Sequence, residues 1–83
     1  MRLTVRYFAS IREALGASEV VEMAEGSSVG AVRDALIARG GAHASALARG
    51  KSLRSALNQV LCDERVIVVD GGELAFFPPV TGG

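Results

Sequence analysis

The 83-residue sequence holds one cysteine, Cys62, and one histidine, His43. A single thiol rules out an internal disulfide and a cysteine-based zinc site, and no other metal site is read. A nucleophile–base pair built from these types would have to be Cys62 with His43, and nothing in their surroundings joins them. Cys62 follows Leu61 and reads as a small buried hydrophobe rather than a reactive thiol. His43 lies in a Gly/Ala-rich stretch and reads as solvated. No apolar run approaches the roughly 18 residues of a membrane span, and no secretory leader precedes Arg2, so the expectation is a cytoplasmic protein with no membrane partner. Nine basic residues balance nine acidic ones, which argues against nucleic acid as a main partner. Neither an internal repeat nor an interdomain linker is visible, and the length suits one small domain over residues 1–83.

What is present is a clear succession of periodic stretches. From Met1 to Phe8, Leu3, Val5 and Tyr7 alternate with Arg2, Thr4 and Arg6, the pattern of a half-buried strand. Ser10-Ile11-Arg12-Glu13 has capping-box spacing and opens a short helix that Gly16 can end. Ser18 to Met23 reads as a second strand, with Val21 and Met23 inward, so the chain begins with a strand pair joined by more than a tight turn. Ser28 is the candidate N-cap of the long helix, whose stripe is Val29, Val32, Leu36 and Ile37 and whose end is Gly40-Gly41. Gly30 weakens its first turn. Residues 42–51 read as a loop with a helical turn through Ala44 to Arg49. Leu53 to Leu61 has strand character interrupted by Asn58-Gln59, and Val66 to Val69 is a short β-branched run expected to be a strand or strand end. Asp70-Gly71-Gly72 is a turn, and Glu73 to Phe77 is the last strand, with Leu74 and Phe76 on one face and Ala75 and Phe77 on the other. The fold class that follows is α+β, a β-grasp or ubiquitin-like arrangement. It has a mixed sheet of four to five strands, covered on one face by one main helix.

Two stretches point to function. The first is the end of the chain, Pro78-Pro79-Val80-Thr81-Gly82-Gly83. Two prolines have no N–H for a sheet ladder, so residues 78–83 should leave the sheet as an extended tail. Gly82 and Gly83 lack Cβ atoms and could thread a narrow channel, carrying a carboxylate at the tip. A glycine-rich end is also what a frayed terminus looks like, but a frayed terminus needs no Phe-Phe-Pro-Pro base. The second stretch runs from Asp34 to Asp63, between which no acidic residue occurs while Arg39, Arg49, Lys51 and Arg54 do. It reads as a solvated face or as a docking patch for an acidic partner surface.

The block from Asp70 to Gly83, with Asn58-Gln59, Tyr7-Phe8-Ala9 and Arg12-Glu13 upstream, resembles the MoaD family, the small subunits of molybdopterin synthase. Gly72 departs from that family's usual aspartate after the turn glycine. The resemblance implies a sulfur carrier. A ubiquitin-activating-like enzyme would adenylate the Gly83 carboxylate with ATP. A sulfur donor protein would then convert the adenylate to a thiocarboxylate, and the tail would deliver sulfur to cyclic pyranopterin monophosphate in the large subunit. It further implies no stably bound cofactor, catalytic acid–base groups on the large subunit, and Leu61 on the partner-facing surface, the same side to which the alternation of the last strand sends Phe77 as an interface anchor. Two other readings stay open: a carrier for another pathway such as thiamine thiazole synthesis, and a ubiquitin-like protein modifier.

Overall fold

The computed structural model describes residues 1–79. Its five strands are β1 (Arg2–Tyr7), β2 (Ser18–Glu22), β3 (Arg54–Leu57), β4 (Val60–Cys62) and β5 (Glu73–Phe77). They form one mixed sheet in the order β2-β1-β5-β3-β4. The two central strands, β1 and β5, run parallel, with Val5 opposite Leu74 and Tyr7 opposite Phe76. The remaining neighbours are antiparallel. The helices are α1 (Ala9–Leu15), α2 (Val29–Ile37) and α3 (Gly41–Ala46). The architecture is the ubiquitin-like β-grasp expected from the order of elements.

The alternation of β1 is realised in full, since Leu3, Val5 and Tyr7 are all buried while Arg2 is exposed. In β5 the same holds for Leu74 and Phe76. The stripe of α2 lies on this face, with Val29, Val32 and Leu36 buried and Ile37 packed at its margin. Ser28 caps α2 by accepting a hydrogen bond from the Ala31 N–H at 3.1 Å. Leu47 and Val68 close the core from the connecting segments.

Four local expectations are corrected. Ser10 is not an N-cap: it lies inside α1, whose capping position is Phe8, with no side-chain cap bond. The Phe8 N–H still donates to Phe76 O at 3.2 Å, so the chain leaves the sheet only at Ala9, at φ 52°, and Ser10 is already helical. The turn placed at Ala44 to Arg49 is instead α3, starting at Gly41, because Gly40 and Gly41, at φ 75° and 55°, complete the reversal at once. The single strand read over Leu53 to Leu61 is a hairpin. Asn58 and Gln59 both have positive φ, as a two-residue type I′ loop requires, and they turn β3 into β4.

Finally, Val66 to Val69 forms no strand; it contributes only an isolated bridge between Ile67 and Ser28. Its backbone serves α2 instead. Val29 N–H donates to Val66 O and Gly30 N–H to Glu64 O, each at 2.9 Å, which satisfies donors at the helix start that have no partner within the helix. The same approach crowds Gly30. A Cβ there would stand 3.1 Å from Glu64 Oε1 and 3.3 Å from Glu64 O, so the helical cost of glycine accompanies a close contact.

Candidate functional site: the open sheet face and the base of the tail

The helices cover one face of the sheet, and the other face is assembled from the opposite parity of each strand. Cross-strand register sets Arg6 beside Ala75, Ala75 beside Ala56, and Ala56 beside Leu61. One row further along, Phe77 stands beside Arg54. The two alanines have little side chain to fill the row. A depression of about 450 Å³ results, flanked by Phe8 and Phe77 and walled by Arg6 and Glu73. Leu61, on the three-residue edge strand β4, is 60% exposed. Phe77 is half-buried, in contrast to Phe76 at 1%. An apolar surface of this kind, on a strand that leads into the tail, is suited to docking a protein.

Phe8 belongs to this surface although the sequence reading did not single it out. It is 37% exposed, and the Arg6 guanidinium carbon lies 5.4 Å from its ring centroid, a cation–π contact. Parity could have found it, because Phe8 follows Thr4 and Arg6 on the face opposite Leu3, Val5 and Tyr7.

Beyond β5, Pro78 is half-buried, Pro79 is exposed, and neither joins a strand. Both border a groove of about 540 Å³ between α1 and α3, floored by Ile11, Ala14, Ala46 and Leu53, with Lys51 on its rim. The base of the tail is therefore flanked by folded structure. Val80, Thr81, Gly82 and Gly83 lie outside the described residues.

The four cations read as a possible docking patch do not stay together as free charges. Arg39 bonds Glu19, and Arg49 bonds both Asp34 and Glu64 as well as Gly30 O. The segment lacks acidic residues in sequence, but the fold brings them in from β2, α2 and the loop after β4. Lys51 at the groove and Arg54 beside Phe77 form no ion pair among the described residues.

Two carboxylates organise the covered side of the molecule. Glu19 Oε2 accepts from Tyr7 Oη at 2.7 Å and lies 2.7 Å from His43 Nε2, while Oε1 accepts from Arg39 Nη1 at 2.5 Å. Burial alone would raise the Glu19 pKa, but the hydrogen bonds from His43, Arg39 and Tyr7 outweigh it and hold the group at about 2. His43 is thus engaged rather than solvated, its side chain 18% exposed. Burial, reinforced by the Glu19 bond, pushes the Tyr7 phenol well above its usual range.

Glu64 is the second hub. Burial acts to raise its pKa, and the bonds from Arg49 and Arg33 prevail and lower it. Arg33, 3% exposed, donates to Leu47 O at 2.8 Å, Ala48 O at 2.6 Å, Lys51 O at 3.0 Å and Glu64 Oε2 at 2.8 Å. A buried guanidinium with this many acceptors fixes the segment after α3 against α2. Cys62 is half-buried against the core, with its Sγ 3.8 Å from Ser55 Oγ. No group of three or more metal-ligating side chains occurs among the described residues, and none of their helices is long and apolar enough to cross a membrane.

The surroundings thus offer an apolar open face and a tail base. The chain is 42% identical to the molybdopterin synthase sulfur carrier subunit of Haemophilus influenzae, over 98% of this chain and 99% of that one. Among solved structures it is similar to SAMP1 from Haloferax volcanii, at TM-score 0.80 and 26% identity with both chains fully covered. It is also similar to a chain in the complex of subunits 1 and 2 of molybdopterin-converting factor from Helicobacter pylori, at TM-score 0.69 and 25% identity, again over the whole of both chains. Residues 5–83 match the ThiS family, and the chain belongs to it.

Proposed function

We propose that this chain is the sulfur-carrier subunit of a molybdopterin synthase, loaded at the carboxylate of Gly83. The observation that carries the reading is the 42% identity to a molybdopterin synthase sulfur carrier subunit over nearly the whole of both chains. The open sheet face adds physical support, because a carrier needs a surface that larger proteins can grip and a terminus that reaches past it.

The chemistry asks little of the carrier itself. A carboxylate is a poor electrophile until one oxygen becomes part of a good leaving group. Attack of the Gly83 carboxylate on ATP gives the acyl-adenylate and pyrophosphate. Sulfur from a donor protein then displaces AMP and leaves a thiocarboxylate. That sulfur is nucleophilic at neutral pH, so the carrier needs no cysteine for the task. In the large subunit the sulfur passes to cyclic pyranopterin monophosphate, and two such deliveries build the dithiolene. The acid–base groups belong to the large subunit in this reading. Lys51 and Arg54 remain as cations able to steer the activating enzyme; Lys51→Glu should slow that association at low salt, and a rate insensitive to reversal and salt removes the role.

The test is the intact mass of the protein after incubation with its activating enzyme, ATP and a sulfur source. Replacement of one oxygen by one sulfur is the expected result. Deletion of Gly83 should abolish that change while leaving the melting temperature as it was. Sulfur loading that survives the deletion, or linkage to a lysine with loss of water, would overturn the carrier reading.

A further inference from the structure

The row across the open face ends in a charged residue. Arg6, Ala75, Ala56 and Leu61 are successive cross-strand neighbours, so a guanidinium stands at one end of this row, the two alanines pave its middle, and an exposed leucine stands at the other end. The Arg6 side chain is 43% exposed. Its contact with Glu73 is 3.8 Å, too long for a hydrogen bond, and its side chain donates no hydrogen bond among the described residues. The Phe8 ring meets the guanidinium at 5.4 Å. That contact holds the long side chain in place without using any of its five N–H donors.

A protein that covers Phe8, Phe77 and Leu61 must also take water from Arg6, which shares the depression with the two aromatics. A guanidinium stripped of water and left without close acceptors opposes binding, whereas a facing carboxylate in bidentate geometry favours it. Glu73 pairs with the guanidinium at 3.8 Å without a hydrogen bond, so the N–H donors are left for a carboxylate supplied by a partner. On the reading of the chain as a synthase subunit, we propose that Arg6 is a specificity-determining residue. The large subunit surface that covers this face presents an Asp or Glu carboxylate to Arg6, set within an apolar patch that meets Phe77 and Leu61. Arg6 thereby selects among large subunits of otherwise similar apolar character.

The experiment measures binding of the full-length chain to its cognate large subunit, with melting temperatures recorded for every variant. Arg6→Leu should weaken binding by about tenfold or more, mostly through faster dissociation, with Arg6→Lys intermediate because it keeps the charge and loses the planar fork. Arg6 lies outside the core, so the melting temperature should hardly move. Binding by Arg6→Leu that equals or exceeds wild type would overturn the proposal, since the guanidinium would then be only a desolvation cost. If Arg6→Leu is neutral while Phe77→Ala still weakens binding, the docking face stands and the facing carboxylate falls. A wild-type chain that does not bind the large subunit overturns both.

Discussion

Strand β5 has two faces with different tasks. Leu74 and Phe76 lie at 0% and 1% exposure beneath the helices, while Ala75 and Phe77 line the open side. Adjacent phenylalanines on one strand therefore differ in what they serve: Phe76 packs in the core, whereas Phe77 is left on the open side, where the proposed function gives it a partner. The same division extends to β1, where Tyr7 is buried and Arg6 and Phe8 face out. A sheet covered on one side separates folding from recognition at single-residue resolution, because parity alone decides which a side chain serves.

The sharpest way to break this contrast is Phe76→Ala. Loss of a fully buried ring should cost about 3–5 kcal/mol of stability, measured by denaturant unfolding. Phe77→Ala should lower stability by much less and weaken binding to the large subunit by about 2 kcal/mol or more, the scale of an interface hot spot. Should Phe77→Ala prove the more destabilising of the two, the division of labour along β5 would be reversed.

A smaller effect tests the covered side by pH. Glu19 is held at about 2 in the folded protein against an ordinary value of 4.5. A depressed carboxylate contributes stability that is fully present above its unfolded pKa and is lost as pH falls through the folded one. The stability advantage of the wild type over Glu19→Gln should therefore be constant above about pH 5 and shrink toward about pH 2. A difference unchanged across that window would mean that Glu19 is not held by Tyr7, Arg39 and His43 in solution.

Much of this arrangement was legible in the sequence because it is written locally. The alternation of β1 and β5, the stripe of α2 with its Ser28 cap, and the Asp70-Gly71-Gly72 turn each depend on neighbours a few residues apart. What failed depends on distant partners. Val66 to Val69 has strand composition, yet its backbone is claimed by the start of α2. Arg39 and Arg49 look unneutralised along the chain until Glu19 and Glu64 arrive from other elements. Arg33 sits next to Val32 in the helical stripe, and the carbonyls of Leu47, Ala48 and Lys51, together with the Glu64 carboxylate, make its burial tolerable. For the candidate site, β5 parity sent Phe77 outward, the family resemblance placed Leu61 on the same surface, and the structure set both on the open face. The aromatic contact of Phe8 with Arg6 needed the fold.

The parallel pairing of β1 with β5 has a consequence for biosynthesis. The two strands at the centre of the sheet come from opposite ends of the sequence, with Thr4 paired to Glu73. A chain leaving the ribosome can assemble the β1–β2 pair and α2 early, but the slot between β1 and β3 stays empty until β5 emerges. Such long-range closure is slow, and it makes completion of the fold conditional on synthesis through β5. A product truncated before residue 73 would expose the centre of its sheet and be open to proteolysis. Folding would then act as a check on length, so that chains stopping short of β5 are removed before they can occupy the partners of the finished protein.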